Sequence, residues 1–276
     1  INVSANSILI KSGQINDGLG NSFIGDILIV DEKIVEVGKF LNSSSAKIIE
    51  AKGKPVTPGL ISPISNIGVV EINALDVTND DSPDFFGPGF SVFNAFNPHS
   101  TLIPWNRSNG VTSSISTPGY SSQIFKGMGS FYLLDGDIDI TGNADVAMYA
   151  RLGAIGGSRA ETIQIMESMF ELALNKDELE LEELLGTTFA SSMDMQLQDI
   201  QALSRVVNRE IPLVLEVNRA IDILQALRLK NDYDLELVLM SVEEAPLVLD
   251  QILASGVSVI IDPMDCLLYT SDASDE

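Results

Sequence analysis

The sequence predicts an α/β protein: an incomplete TIM-like (β/α) barrel preceded by a small β-sandwich unit. Three patterns carry that prediction. Before Pro55, short apolar runs are separated by turn residues; between Arg159 and Val207, apolar residues recur at helical spacing. From Pro212 to Ile261, short apolar strands alternate with helices at a period of roughly 22 residues, which is the pattern of βα units and a parallel sheet.

Taken in order, the first unit consists of runs such as Ile8-Leu9-Ile10, Ile27-Leu28-Ile29-Val30, Ile34-Val35-Glu36-Val37-Gly38 and Lys47-Ile48-Ile49-Glu50-Ala51, with Asp17-Gly18 between the first two. Short apolar runs broken this way read as hairpins. Residues 69–110 are rich in Asn, Asp, Ser, Pro, Gly and Phe without periodicity and read as an elaborated loop over a barrel rim. Val111-Thr112-Ser113-Ser114-Ile115-Ser116 reads as a strand. Helices are expected over 159–174, where Ile163, Met166, Met169, Phe170 and Ala173 share a side, and over 195–207, where Leu197, Ile200, Leu203 and Val207 do. Gly156-Gly157-Ser158 before the first of these reads as ordinary capping rather than a phosphate cradle. The acidic run 177–185 reads as one more helix face.

In the second half, strands are expected at 212–217, 235–240 and 257–261, with helices at 220–229 and 243–254. A closed barrel of this kind uses eight strands, and only about five or six can be read before Asp265, so the barrel is expected to be cut short. The resulting division is a β unit over 1–56, a partial barrel over 57–265, and a tail over 266–276. That tail, beginning at Cys266, resembles the translation of a sequencing-library adapter and reads as non-native.

Charge narrows the partners. With 16 Lys and Arg against 39 Asp and Glu in 276 residues, the formal charge is -23. A polyanionic nucleic acid or an anionic membrane surface is therefore an unfavourable partner. No apolar run reaches the ~18–20 residues that span a bilayer. Acidic residues spread along the chain suit an exported or salt-adapted surface, so the compartment is left open, with an exported or periplasmic one favoured over the cytoplasm. A single cysteine allows neither an intrachain disulfide nor a cysteine cluster. His99 is the single histidine, and as a lone loop residue it reads as a surface group rather than a metal ligand. A serine triad has no base, and no G-x-G-x-x-G follows a strand.

The stretch Val56-Thr57-Pro58-Gly59-Leu60-Ile61-Ser62-Pro63-Ile64-Ser65-Asn66-Ile67-Gly68 resembles the first barrel strand of the metal-dependent amidohydrolases, which reads V-x-P-G-L-I-D-x-H-x-H-x-G. The phrase from Gly25 to Gly38 resembles the β unit that precedes the barrel in that superfamily. Asn97-Pro98-His99-Ser100, Ile103-Pro104, Arg107 and Asn109-Gly110-Val111-Thr112, together with residues 219–229, resemble its imidazolonepropionase-like branch.

The resemblance implies hydrolysis of carbon–nitrogen bonds, as in cyclic amides, by water activated on zinc or another divalent metal. At the places of the two histidines of the first strand stand Ile64 and Asn66, with Ser62 two residues before. Where a later strand ends in H-x-H stand Glu216-Val217-Asn218, and the strand after it ends in Met240-Ser241. Isoleucine cannot coordinate a cation, and a neutral amide is a weak ligand beside imidazole.

The expectation is a vestigial pocket of Ser62, Ile64, Asn66, Glu216, Asn218 and Met240, with no catalytic residue, no metal and no other cofactor. Such a chain would be a degenerate member acting as partner or scaffold, in a homo- or heterodimer with a related amidohydrolase. The alternative is an active hydrolase on carbon–nitrogen bonds that uses a remodelled pocket around Glu216.

Overall fold

A computed structural model describes residues 7–72, 75–119, 121–153, 157–177, 183 and 185–261. The adapter-like tail and most of the acidic run 177–185 lie outside the described residues. The chain divides into two compact units after Leu60.

In the first unit, β1 (Ser7–Asn16), β2 (Ser22–Val30), β3 (Lys33–Gly38), β4 (Lys47–Glu50) and β5 (Pro55–Val56) form one sheet in the order β3-β2-β1-β4, with β5 following β4 along the same strand β1. Strands β1, β2 and β3 are antiparallel, whereas β4 and β5 run parallel to β1. Asp31 and Glu32 join β2 to β3 with φ of 47° and 66°, both in the left-handed region that a two-residue hairpin requires. Between Ile10 and Gly13 the register of β1 shifts at Ser12, which has φ 55°. The buried carboxylate of Asp26 holds that irregularity, accepting the Ser12 N–H at 2.8 Å and the Leu41 N–H at 2.9 Å.

In the second unit, β6 (Leu60–Ser65), β7 (Val111–Ser116), β8 (Phe125–Leu133), β9 (Gly142–Arg151), β10 (Leu213–Val217), β11 (Leu237–Ser241) and β12 (Ser258–Ile260) make one barrel-like sheet, ordered in sequence from β6 to β12. The strands β9 to β12 are parallel, and the hairpin strand β8 is antiparallel to both neighbours. Around the sheet lie α1 (Leu102–Ser108), α2 (Arg159–Leu174), α3 (Thr188–Ser192), α4 (Leu197–Val207), α5 (Ala220–Asp232) and α6 (Leu249–Ser255).

Helix starts follow from local chemistry. Ser158 caps α2 by accepting the Glu161 N–H at 3.1 Å, which is the capping role expected of it. Asp199 in the first turn of α4 accepts the Gln196 N–H at 2.8 Å and the Gly89 N–H at 2.7 Å, so one buried carboxylate fixes a helix end and a distant loop. Gly256 ends α6 with φ 66°.

Strand alternation sorts the apolar residues into two layers. Leu213, Leu215 and Val217 of β10 and Leu237 and Leu239 of β11 pack with Phe170, Ile200, Leu203 and Ile223 of the helices. On the opposite face, Val214 and Met240 join Ala147 and Tyr149 in a separate cluster, and Ile64, Ile115, Val238 and Ile260 pack against it. Ile64 belongs to β6 and Ile260 to β12, the two ends of the strand order. Their meeting in one cluster shows that the sheet curls round an interior filled by side chains, as barrel interiors are.

Two expectations are corrected by these elements. The loop reading of 69–110 overlooks α1, whose Pro104 falls in the first turn, where the missing N–H costs no helical hydrogen bond. The strands β8 and β9 were not expected, because Gly127, Gly129 and the turn around Asp135-Gly136 break the apolar pattern that marks a strand.

Candidate functional site

The candidate site is the inner face of the barrel-like sheet at the carboxyl ends of its parallel strands. Alternation along β10 puts Val214 and Glu216 on the inner face, and Asn218 follows just past the strand end. Glu216 lies in register with Met240 of β11 and with Arg151 of β9.

The structure brings Ile64 and Met240 together in the inner apolar cluster. The same cluster contains Tyr149, whose hydroxyl donates to the carbonyl of Pro63 at 3.2 Å, and whose burial pushes its phenol well above the ordinary tyrosine value. Ser62 is half-buried and donates to the carbonyl of Ile64 at 2.9 Å. Asn66 is exposed, and its carbonyl accepts the N–H groups of Val69 and Val70. Asn218 accepts the Glu244 N–H through its carbonyl, while its side-chain Oδ1 is buried without a hydrogen-bond partner. His99 stands exposed in the loop before α1, its N–H bonded to Asn97 Oδ1.

Sequence reasoning missed the residue that meets Glu216. Lys126 Nζ donates to Glu216 Oε2 at 2.8 Å, and the two side chains are 15% and 23% exposed. A bulge in β8 delivers it. Phe125 opposes Ala150 and Gly127 opposes Tyr149, so Lys126 is an extra residue with no counterpart on β9. The bulge also lets Phe125 and Met128, three residues apart, both pack in the helix-facing cluster. Gly127 permits it with φ 119°, and a Cβ there would lie 2.7 Å from the carbonyl oxygen of Phe90. A lysine beside a glycine inside an apolar run was the available signal.

These residues do not fit a divalent metal. Two of the former ligand places are apolar and packed, Asn66 is turned to solvent, and Glu216 is engaged by an ammonium. Among the described residues, no three His, Cys, Asp or Glu side chains come together.

No protein-family model matches the chain. Over 57 residues it is 47% identical to a 5-methylthioadenosine/S-adenosylhomocysteine deaminase of Thermococcus onnurineus, and over 56 residues it is 43% identical to a dihydroorotase of Lactococcus lactis. Each match spans 20% of this chain and 13% of the curated relative. An amidohydrolase from Thermotoga maritima superposes with a TM-score of 0.75 and 23% identity, covering 93% of this chain and 70% of its own. The likeness to the Thermotoga protein shows the fold of this chain. Its fold is that of the Thermotoga amidohydrolase, with a barrel-like sheet of seven strands among the described residues. On the inner face of this chain, apolar packing and an internal ion pair occupy the places at which the sequence resemblance puts ligands.

Proposed function

We propose that this chain is a metal-free member of the amidohydrolase superfamily that serves as a partner or scaffold in a homo- or heterodimer and does not hydrolyse carbon–nitrogen bonds. The observation that carries this reading is the packing of Ile64 and Met240 in the inner apolar cluster, with the carboxylate of Glu216 bonded to Lys126. Water must be bound and polarised by a cation before it becomes hydroxide at neutral pH, and two hydrocarbon-lined ligand places with one paired carboxylate cannot assemble that centre.

A second reading, hydrolysis in a remodelled pocket around Glu216, is favoured by one observation: the buried Asn218 Oδ1 has no donor in the described residues and would accept one from a ligand. An assay separates the two. The full chain is incubated with a panel of cyclic and acyclic amides, with and without added zinc, manganese or cobalt, and release of ammonia or carboxylate is followed. No turnover above a Glu216→Ala control is expected. Metal-dependent turnover that disappears in Glu216→Ala would establish the second reading instead.

A further inference from the structure

We infer that Lys126 is a built-in counter-cation for Glu216, which makes the inner face self-sufficient in positive charge and closes it to free cations. The inference deepens the metal-free reading and rests on it. Four observations support it. Neither member of the pair is more than a quarter exposed, and their contact is 2.8 Å. The surroundings are apolar, since Val214 precedes Glu216 on the same face and Met240 lies beside it in register. A bare carboxylate in such a place is strongly unfavourable, so Glu216 needs a cation. The fold spends an irregularity on supplying one, because the bulge that inserts Lys126 depends on a glycine pressed against the Phe90 carbonyl.

Arg151 is the other cation to consider, being in register with Glu216 on β9. Its guanidinium donates to the carbonyl of Ser121 at 3.5 Å, whereas the 2.8 Å contact to Glu216 Oε2 is made by the lysine. Once the ammonium is removed, Glu216 is left as a half-buried carboxylate that a small cation would neutralise. The site is latent in the native chain and is covered by its own lysine.

The test uses the full chain and thermal unfolding midpoints. Lys126→Met and Glu216→Gln are each expected to lower the midpoint by about 5 °C or more, and the double variant by less than the sum of the two. Zinc ion or methylammonium is expected to raise the midpoint of Lys126→Ala, and to leave the parent chain and Lys126→Ala/Glu216→Gln unmoved. Additive single-variant losses, or midpoints equal to the parent, would overturn the inference. A zinc-induced rise in the parent would overturn the metal-free reading instead, whatever the coupling. If the variants do not fold, pulsed reductive methylation of the parent decides: Lys126 is expected to react far more slowly than the exposed Lys33 and Lys52, and equal rates would refute the pairing.

Discussion

Histidine at positions 64, 66, 216 and 218, introduced together with Lys126→Met, is expected to give a chain that takes up one zinc ion on the order of a hundredfold more tightly than the parent. Ile64 lies on the face of β6 that meets the inner cluster and Glu216 on the inner face of β10, while Asn66 and Asn218 each follow one residue past the end of those strands, so Asn66→His must turn in from solvent to join the others. Imidazole supplies what the present side chains lack, a neutral nitrogen ligand with high affinity for zinc. The lysine must go as well. An ammonium about 4 Å from a bound dication opposes it by several kcal/mol even in a moderately polar site, so the four histidines without Lys126→Met are expected to bind at least about tenfold more weakly. Competition against a chromophoric chelator measures both. A folded five-fold variant with no more affinity than the parent would mean that β6 and β10 do not direct these positions to one point.

Replacing Gly127 by alanine is expected to cost about 3 kcal/mol, combining the penalty for a backbone angle that L side chains avoid with a collision against the Phe90 carbonyl oxygen at 2.7 Å. Gly110 provides the comparison, since it also has positive φ, at 92°, but a Cβ there meets nothing within 4 Å. Gly110→Ala is expected to cost only about 1 kcal/mol. The difference isolates the close approach that shapes the bulge. Denaturant midpoints with constant slope would measure it, and equal costs for the two substitutions would show that the bulge relaxes and does not hold Lys126 in place.

The parts of the fold that could be read from the sequence are those in which one period dominates. Apart from Glu216 and Ser241, residues 213–217 and 237–241 are apolar on both faces because helices cover one and the barrel interior the other, and a nearly continuous apolar run between helices has few other readings. The helix 159–174 was bounded correctly because Ser158 and the spacing of Met166, Met169 and Phe170 agree. Strands β8 and β9 escaped because their glycines serve a bulge and close packing, as at Gly129, where a Cβ would lie 2.6 Å from the Tyr149 ring. Such glycines look like breaks when only the sequence is seen.

The site divided in the same way. Ile64, Glu216 and Met240 were marked by a motif with substituted ligand places, so a resemblance could name them. What surrounds them was not readable, because it depends on three-dimensional packing in the inner cluster and on a lysine ninety positions from its partner. Ion pairs between such distant strands leave no local pattern in the chain.

The central claim is that the inner face is complete without a metal, and metal content per chain tests it most directly. The full chain should be expressed in medium supplemented with zinc, nickel and manganese, purified without chelator, and analysed by mass spectrometry alongside Glu216→Ala. The account predicts well under about 0.1 equivalent of any of these metals in both proteins, because the former ligand places hold isoleucine, asparagine and methionine and the one carboxylate holds a lysine. A ratio near one in the parent, lost in Glu216→Ala, would contradict it.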